Sequence, residues 1–243
     1  MENEKSLSLF EHLEELRSRL IRTIIYIILG SFLVWFFYQD FFKLLANPVT
    51  AAMNKIGAQF LITGVAEGFT LKLQISAIFG IILSFPFIIL EIWGFISPAL
   101  KQSEKKALLT VIPFSIILFL AGILSAYFTL PIGIEWLINQ NPEGARFMPS
   151  MSETLLFIAK MELAFGVLFQ MPIVIIFLAK IGLVKSELLI KFWREALIII
   201  CIIVAIITPT TDAFTMILMS APMLLLYLIT IKIVSVMEKR RNI

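Results

Sequence analysis

Four stretches of this sequence, at about 20–38, 69–92, 107–130 and 154–178, stay apolar long enough to cross about 30 Å of hydrocarbon as helices. Nothing else in the chain constrains its fold as strongly. Two shorter runs follow, at about 194–208 and 213–232, separated by the turn residues Pro209, Thr210, Thr211 and Asp212. At the helical rise of 1.5 Å per residue the fifth run covers only about 20 Å, so the last pair is expected to form a hairpin of two short spans. The composition agrees: 60% of the residues are hydrophobic, 15% are charged and the mean hydropathy is +0.98, outside the range of a soluble domain. The expected fold class is therefore all-α, a polytopic membrane protein of six transmembrane helices. Its 243 residues leave no room for a linker or a second domain, so 1–243 reads as one membrane domain.

Basic residues set the orientation. Lys5, Arg17, Arg19 and Arg22 precede the first run. Lys101, Lys105 and Lys106 lie between the second and third, Lys180, Lys185, Lys191 and Arg194 between the fourth and fifth, and Lys232, Lys239, Arg240 and Arg241 at the end. The opposite loops hold only Lys43, Lys55 and Arg146, with Lys72 and Lys160 just inside the spans. That asymmetry places both termini in the cytoplasm. The N-terminus does not read as a cleaved signal, because Glu2, Glu4, Glu11, Glu14 and Glu15 precede the apolar run and no small-residue cleavage site follows.

Residues 1–19 read as a cytoplasmic amphipathic helix lying on or just above the lipid. Ser8 and Glu11 have capping-box spacing, Phe10, Leu13, Leu16 and Leu20 form an apolar stripe, and the Glu15/Arg19 and Glu14/Arg17 pairs form the other face. The two outer loops, 39–68 and 131–153, are long and carry Asn47-Pro48, Asn141-Pro142 and Met148-Pro149, so both are expected to be structured. Pro86, Pro113, Pro172 and Pro222 inside the spans bend helices and favour a concave bundle.

The groups available for chemistry are few. His12 is the only histidine and Cys201 the only cysteine, which argues against a metal site, a nucleophile–base relay, an enzyme or a bound cofactor, and rules out a disulfide within the chain. Glu162 and Gln170 are the deepest polar candidates. Gln170 either lines a wet concavity or makes an interhelical hydrogen bond. On the basic side stand three carboxylates, Glu15, Glu91 and Glu104. They are either neutralised by neighbours such as Arg17, Lys101 or Lys105, or open to a doubly cationic ligand, for which paired guanidiniums suit because each meets a carboxylate through a fork of two N–H donors.

The segment His12-Leu13-Glu14-Glu15-Leu16-Arg17-Ser18-Arg19-Leu20 is similar to the HLxELRxRL start of the TatC family, the multi-span subunits of the twin-arginine protein translocase. Trp93-Gly94-Phe95-Ile96-Ser97-Pro98-Ala99-Leu100 with Glu104, Pro48, Ala164-Phe165-Gly166-Val167, Thr208-Pro209 and Asp212 extend the resemblance over most of the chain. It implies a bacterial inner-membrane protein that binds signal peptides bearing consecutive arginines and supports export of folded proteins driven by the proton-motive force. Partners of the TatA and TatB single-span type and self-association in a larger complex are implied too. Glu15 and Glu104 match acidic positions implicated in recognising the arginines, with Arg17 and Phe95 beside them, and Pro48 and Asp212 match positions associated with function. Gln170 stands where many members carry glutamate, so no ionisable group can be assumed there, and Glu162 lies outside the family pattern. The alternative is a small-solute secondary transporter, with Pro86 and Pro172 marking broken helices around a midplane site; it would usually show repeat symmetry and buried coupling charges, and neither is found.

Overall fold

No proline or glycine lies between His12 and Leu29, and the computed structural model, which describes residues 9–55, 58–99, 102–142, 148–208 and 212–241, accordingly shows one unbroken helix there. Helix α1 (Leu9–Phe36) joins the polar leading segment and the first apolar run end to end. The segment expected as a separate helix is, from Leu9 on, continuous with the first apolar run. Ser8, the first member of the capping box, lies outside the described residues.

Helix α1 has one main partner, α3 (Glu67–Ile96). The two approach closely because small residues meet at their crossing. A Cβ on Gly80 would stand 2.1 Å from Ser31 Oγ and 2.6 Å from Ser31 Cα, and one on Gly30 would stand 2.7 Å from the Gly80 carbonyl oxygen. Ser84 Oγ donates to the Tyr26 carbonyl at 2.7 Å across the same seam. In lipid, where burial of apolar surface gives no drive to associate, such close backbone packing and interhelical hydrogen bonds hold helices together.

Between them runs α2 (Tyr38–Lys55), one helix of 18 residues that contains Pro48. It buries Leu45, Ala46, Val49 and Met53 against α3, α4 (Gln102–Ile138) and α5 (Met151–Leu168). The first outer loop is thus structured, as its composition implied. Helix α4 runs through both Pro113 and Pro131 and ends eight residues beyond the expected boundary at 130. A proline removes one amide donor and disfavours continuation, but here packing offsets it: Trp136 stacks on Phe214 with ring centroids 4.7 Å apart, and Gly133 lies against Thr215.

The fourth span is interrupted. Helix α5 stops at Leu168 and α6 (Met171–Lys180) resumes after Phe169 and Gln170, because Pro172 in the first turn of α6 has no amide hydrogen to continue the ladder. A short α7 (Ser186–Lys191) leads into α8 (Trp193–Ile207) and α9 (Ala213–Arg241). Helix α8, with 15 residues, extends about 22 Å and falls short of a bilayer core. Helix α9 does not: it continues for 29 residues, carried past its apolar part by packing of Val234 and by Glu238, whose carboxylate accepts from the amide and hydroxyl of Ser186. Of the expected pair of short spans, the first is a helix of 15 residues, below spanning length, and the second is a long helix of 29.

Among the described residues, five helical segments are long and apolar enough to cross a membrane: Phe10–Phe36, Glu67–Ile96, Val111–Ile138, Met151–Lys180 and Ala213–Lys239. A core that includes Val34, Leu71, Ile75, Ala126, Leu155, Phe165 and Met219 joins them. A second cluster, around Phe85, Phe119, Trp93 and Phe177, lies toward the end where α3 finishes.

The opposite end is capped by the two outer loops. Leu61 and Ser150 form a single parallel bridge, with Leu61 N donating to Pro149 O and Met151 N to Leu61 O, both at 3.0 Å. Glu67, at the head of α3, accepts from the Thr63 amide and hydroxyl, from the Gly64 amide at 3.1 Å, from Ser150 Oγ at 3.3 Å and from the Ser152 amide at 3.2 Å. One carboxylate therefore ties both loops together.

Candidate functional site

His12, Glu15, Arg19 and Arg22 recur at intervals of three and four, which places them on one face of α1. That face meets the last turns of α3, where Glu91, Gly94 and Phe95 stand on the facing side. The result is a charged joint between two helices. Arg19 donates from Nε at 2.9 Å and from Nη2 at 2.7 Å to Glu15 Oε1, and from Nη1 at 3.0 Å to Glu91 Oε2. Arg22 Nη2 reaches the same Glu91 oxygen at 3.1 Å, and His12 Nδ1 lies 3.8 Å from Glu15 Oε2.

Burial grades across the joint. The Glu91 side chain is 10% exposed, Arg19 21%, Glu15 23% and Arg22 48%, so the cluster opens outward from Glu91 through Arg19 to Glu15. A carboxylate as enclosed as Glu91 requires cationic partners, and it has two guanidiniums. Room for Arg19 comes from Gly94, where a Cβ would stand 2.2 Å from Nη1 and 2.9 Å from Cζ. The next residue, Phe95, stacks flat on His12, with centroids 4.2 Å apart and planes 12° from parallel, and His12 in turn lies beside the Glu15 carboxylate.

Of the residues expected at a functional site, the structure thus brings Glu15 and Phe95 together. Arg17 projects from the exposed side of α1 and makes no ion pair among the described residues, with Glu14 or otherwise. Glu104 belongs to the first turns of α4, and its side chain lies outside the described residues, as do Lys101, Lys105 and Lys106 beside it. Neutralisation of Glu15 by a neighbour does occur, and the neighbour is Arg19. The part played by Arg19, Arg22 and Gly94 was missed in the sequence; the i, i+4 spacing of Glu15 and Arg19 gave half of it, but the other half joins residues 72 positions apart.

The remaining positions lie elsewhere. Gln170 Nε2 donates to the Ser115 carbonyl of α4 at 3.1 Å and to Gly166 O at 3.4 Å, the interhelical hydrogen bond that was one of its two readings. Glu162 is 2% exposed, with Oε1 unpartnered among the described residues. Pro48 sits in α2 and Asp212 at the start of α9, where its Oδ1 accepts from the Thr215 amide at 2.7 Å as a helix N-cap. Both belong to the capped end, the length of a span away from Glu15.

Comparison with known proteins places this arrangement. The family profile described as Sec-independent protein translocase protein (TatC) matches residues 11–222. The chain is 37% identical over 229 residues to the Sec-independent protein translocase protein TatC of Carboxydothermus hydrogenoformans, covering 94% of this chain and 93% of that one. It is 38% identical over 242 residues to the protein of the same name from Desulforapulum autotrophicum, covering 99% and 88%. Among solved structures it is similar to the twin arginine translocase receptor TatC crystallised in DDM, with TM-score 0.82, 35% identity, and coverage of 92% of this chain and 99% of that one. The solute-transporter alternative gains no support from these likenesses.

Proposed function

Because this chain belongs to the TatC family of Sec-independent protein translocase proteins, we propose that it receives twin-arginine signal peptides at the joint between α1 and α3. The observation that carries the reading is the forked contact on Glu15. Two N–H groups of one guanidinium already converge on its Oε1, at 2.7 and 2.9 Å, so the carboxylate is held where the edge of a guanidinium fits it. The His12–Phe95 stack gives this slot a fixed aromatic wall.

In this reading the peptide's first arginine takes Glu15 and the second is received by Glu104 at the start of α4, with Arg17 on the rim. The apolar part of the peptide then lies along the bundle toward Gln170. Both termini, α7 and the joint face the cytoplasm of a bacterial cell, as the basic residues at that end require, and α8 completes six membrane helices. No bond is made or broken; the work of transport is drawn from the proton-motive force and is shared with single-span partners of the TatA and TatB type in a complex of several copies. The thin membrane beside the 15-residue α8 offers such a partner an edge.

The test is a titration of the purified full chain in detergent with a synthetic signal peptide carrying Arg-Arg or Lys-Lys. Tighter binding of the Arg-Arg peptide, lost on Glu15→Ala and on Glu104→Ala with the thermal midpoint retained, supports the site. Equal binding of both peptides by all three proteins overturns it.

A further inference from the structure

The guanidinium slot on Glu15 is already filled, and the occupant is part of the chain itself. We infer that Arg19 is a built-in competitor for this slot, which an incoming arginine must displace before it can bind. The inference rests on the reading of Glu15 as the peptide's acceptor.

Three features argue that Arg19 is placed to leave and return. It spends Nε and Nη2 on Glu15 but keeps Nη1 for Glu91, so it can release the first carboxylate without stranding itself. Glu91, the more enclosed of the two acids, holds Arg22 as well and is never left unpaired during the exchange. The notch that admits the Arg19 guanidinium exists only because Gly94 has no side chain. A fixed brace between α1 and α3 would need only the Glu91 contact; the fork on Glu15 lies within α1 and ties nothing across the seam.

The energetic consequence is a threshold. An arginine that replaces Arg19 restores the bonds it breaks, so exchange is nearly balanced and the remaining contacts of the peptide decide the outcome. A lysine ammonium is a compact donor that does not reproduce the fork, and its exchange runs uphill. Competition of this kind raises the dissociation constants of all cationic peptides by one common factor. It therefore leaves their ratio alone and lifts the weaker class out of the binding range.

Arg19→Lys keeps the charge and removes the fork, which separates competition from simple repulsion. The expected result with the purified full chain is an Arg-Arg peptide bound about tenfold more tightly than by the parent, the value of roughly one charged hydrogen bond. Binding of the Lys-Lys peptide is expected to gain by the same factor. An unchanged or weaker affinity in a protein that keeps its thermal midpoint makes Arg19 a static brace and overturns the proposal. Should Arg19→Lys lower the midpoint, Gly94→Ala tests the same point, since the added methyl evicts the guanidinium without altering any charge; a gain supports the exchange, and no gain overturns it. Glu15→Gln distinguishes the two layers. If it leaves binding by the parent intact, the acceptor assignment itself fails; if it abolishes binding by the parent but the Arg19→Lys gain survives in the double variant, only the competitor fails.

Discussion

Replacing Gly80 by alanine adds one methyl where α3 crosses α1, and the structure fixes what that methyl meets. Its Cβ would lie 2.1 Å from Ser31 Oγ and 2.6 Å from both Ser31 Cα and Ser31 N. The hydroxyl can rotate away, but the backbone atoms cannot, so the seam has to open by about 1 Å to restore contacts near 3.5 Å. A gap of that size forfeits a quarter to a half of the dispersion energy of the atoms along it. Overpacking of this kind costs about 1–3 kcal/mol. The better helix propensity of alanine returns about 1 kcal/mol, leaving a net loss of up to about 2 kcal/mol. The assay is the denaturation midpoint of the purified protein in detergent, with a spin-label distance between α1 and α3 as the structural readout. Gly68→Ala is the control, because it is on the same helix and a Cβ there meets nothing within 4 Å. Ser31→Gly should rescue Gly80→Ala only in part, since it removes Oγ and leaves the two backbone contacts. If Gly80→Ala behaves like Gly68→Ala, or if Ser31→Gly restores it fully, the close crossing is not what holds α1 in place.

Other perturbations have equally definite outcomes. Glu91→Gln leaves Arg19 and Arg22 without their shared anion and should lower stability by about 1–3 kcal/mol, measured as a fall in the denaturation midpoint that adding salt does not reproduce in the parent. Glu67→Ala unties the outer loops and should speed hydrogen exchange at the amides of Thr63, Gly64 and Ser152 while leaving those of Ile75 and Phe79 unchanged. Asp212→Ala removes the α9 cap and should cost about 0.5–2 kcal/mol, with Asp212→Asn recovering most of it because asparagine also caps well.

The five long apolar helices were readable in the sequence because a bilayer demands about 20 apolar residues and little else. Places where the reading fell short share a cause: a local signal was outweighed by a distant contact. Pro131 marks a helix end by local preference, yet α4 passes it because Trp136 and Gly133 pack against the start of α9. The stripe Phe10, Leu13, Leu16 suits a separate helix lying on lipid, yet it is continuous with the first apolar run, and Arg19 and Arg22 on that helix reach Glu91 of α3. At the candidate site, Glu15 and Phe95 were legible from family-like motifs and the Glu15–Arg19 pair from helical spacing. The notch at Gly94 was not, since a glycine in a membrane helix is unremarkable until the side chain that fills it is known.

The carboxylate at the head of α3 also says something about how the chain is made. Two of the donors that Glu67 binds, Ser150 and Ser152, follow it by 83 and 85 residues. During synthesis α1 and α3 are complete well before those donors exist, so the segment between α2 and α3 stays unfastened until the start of α5 has been made. Biogenesis of the outer face therefore ends late, and a chain arrested before residue 150 should show residues 58–66 open to protease even with its early helices already in the membrane.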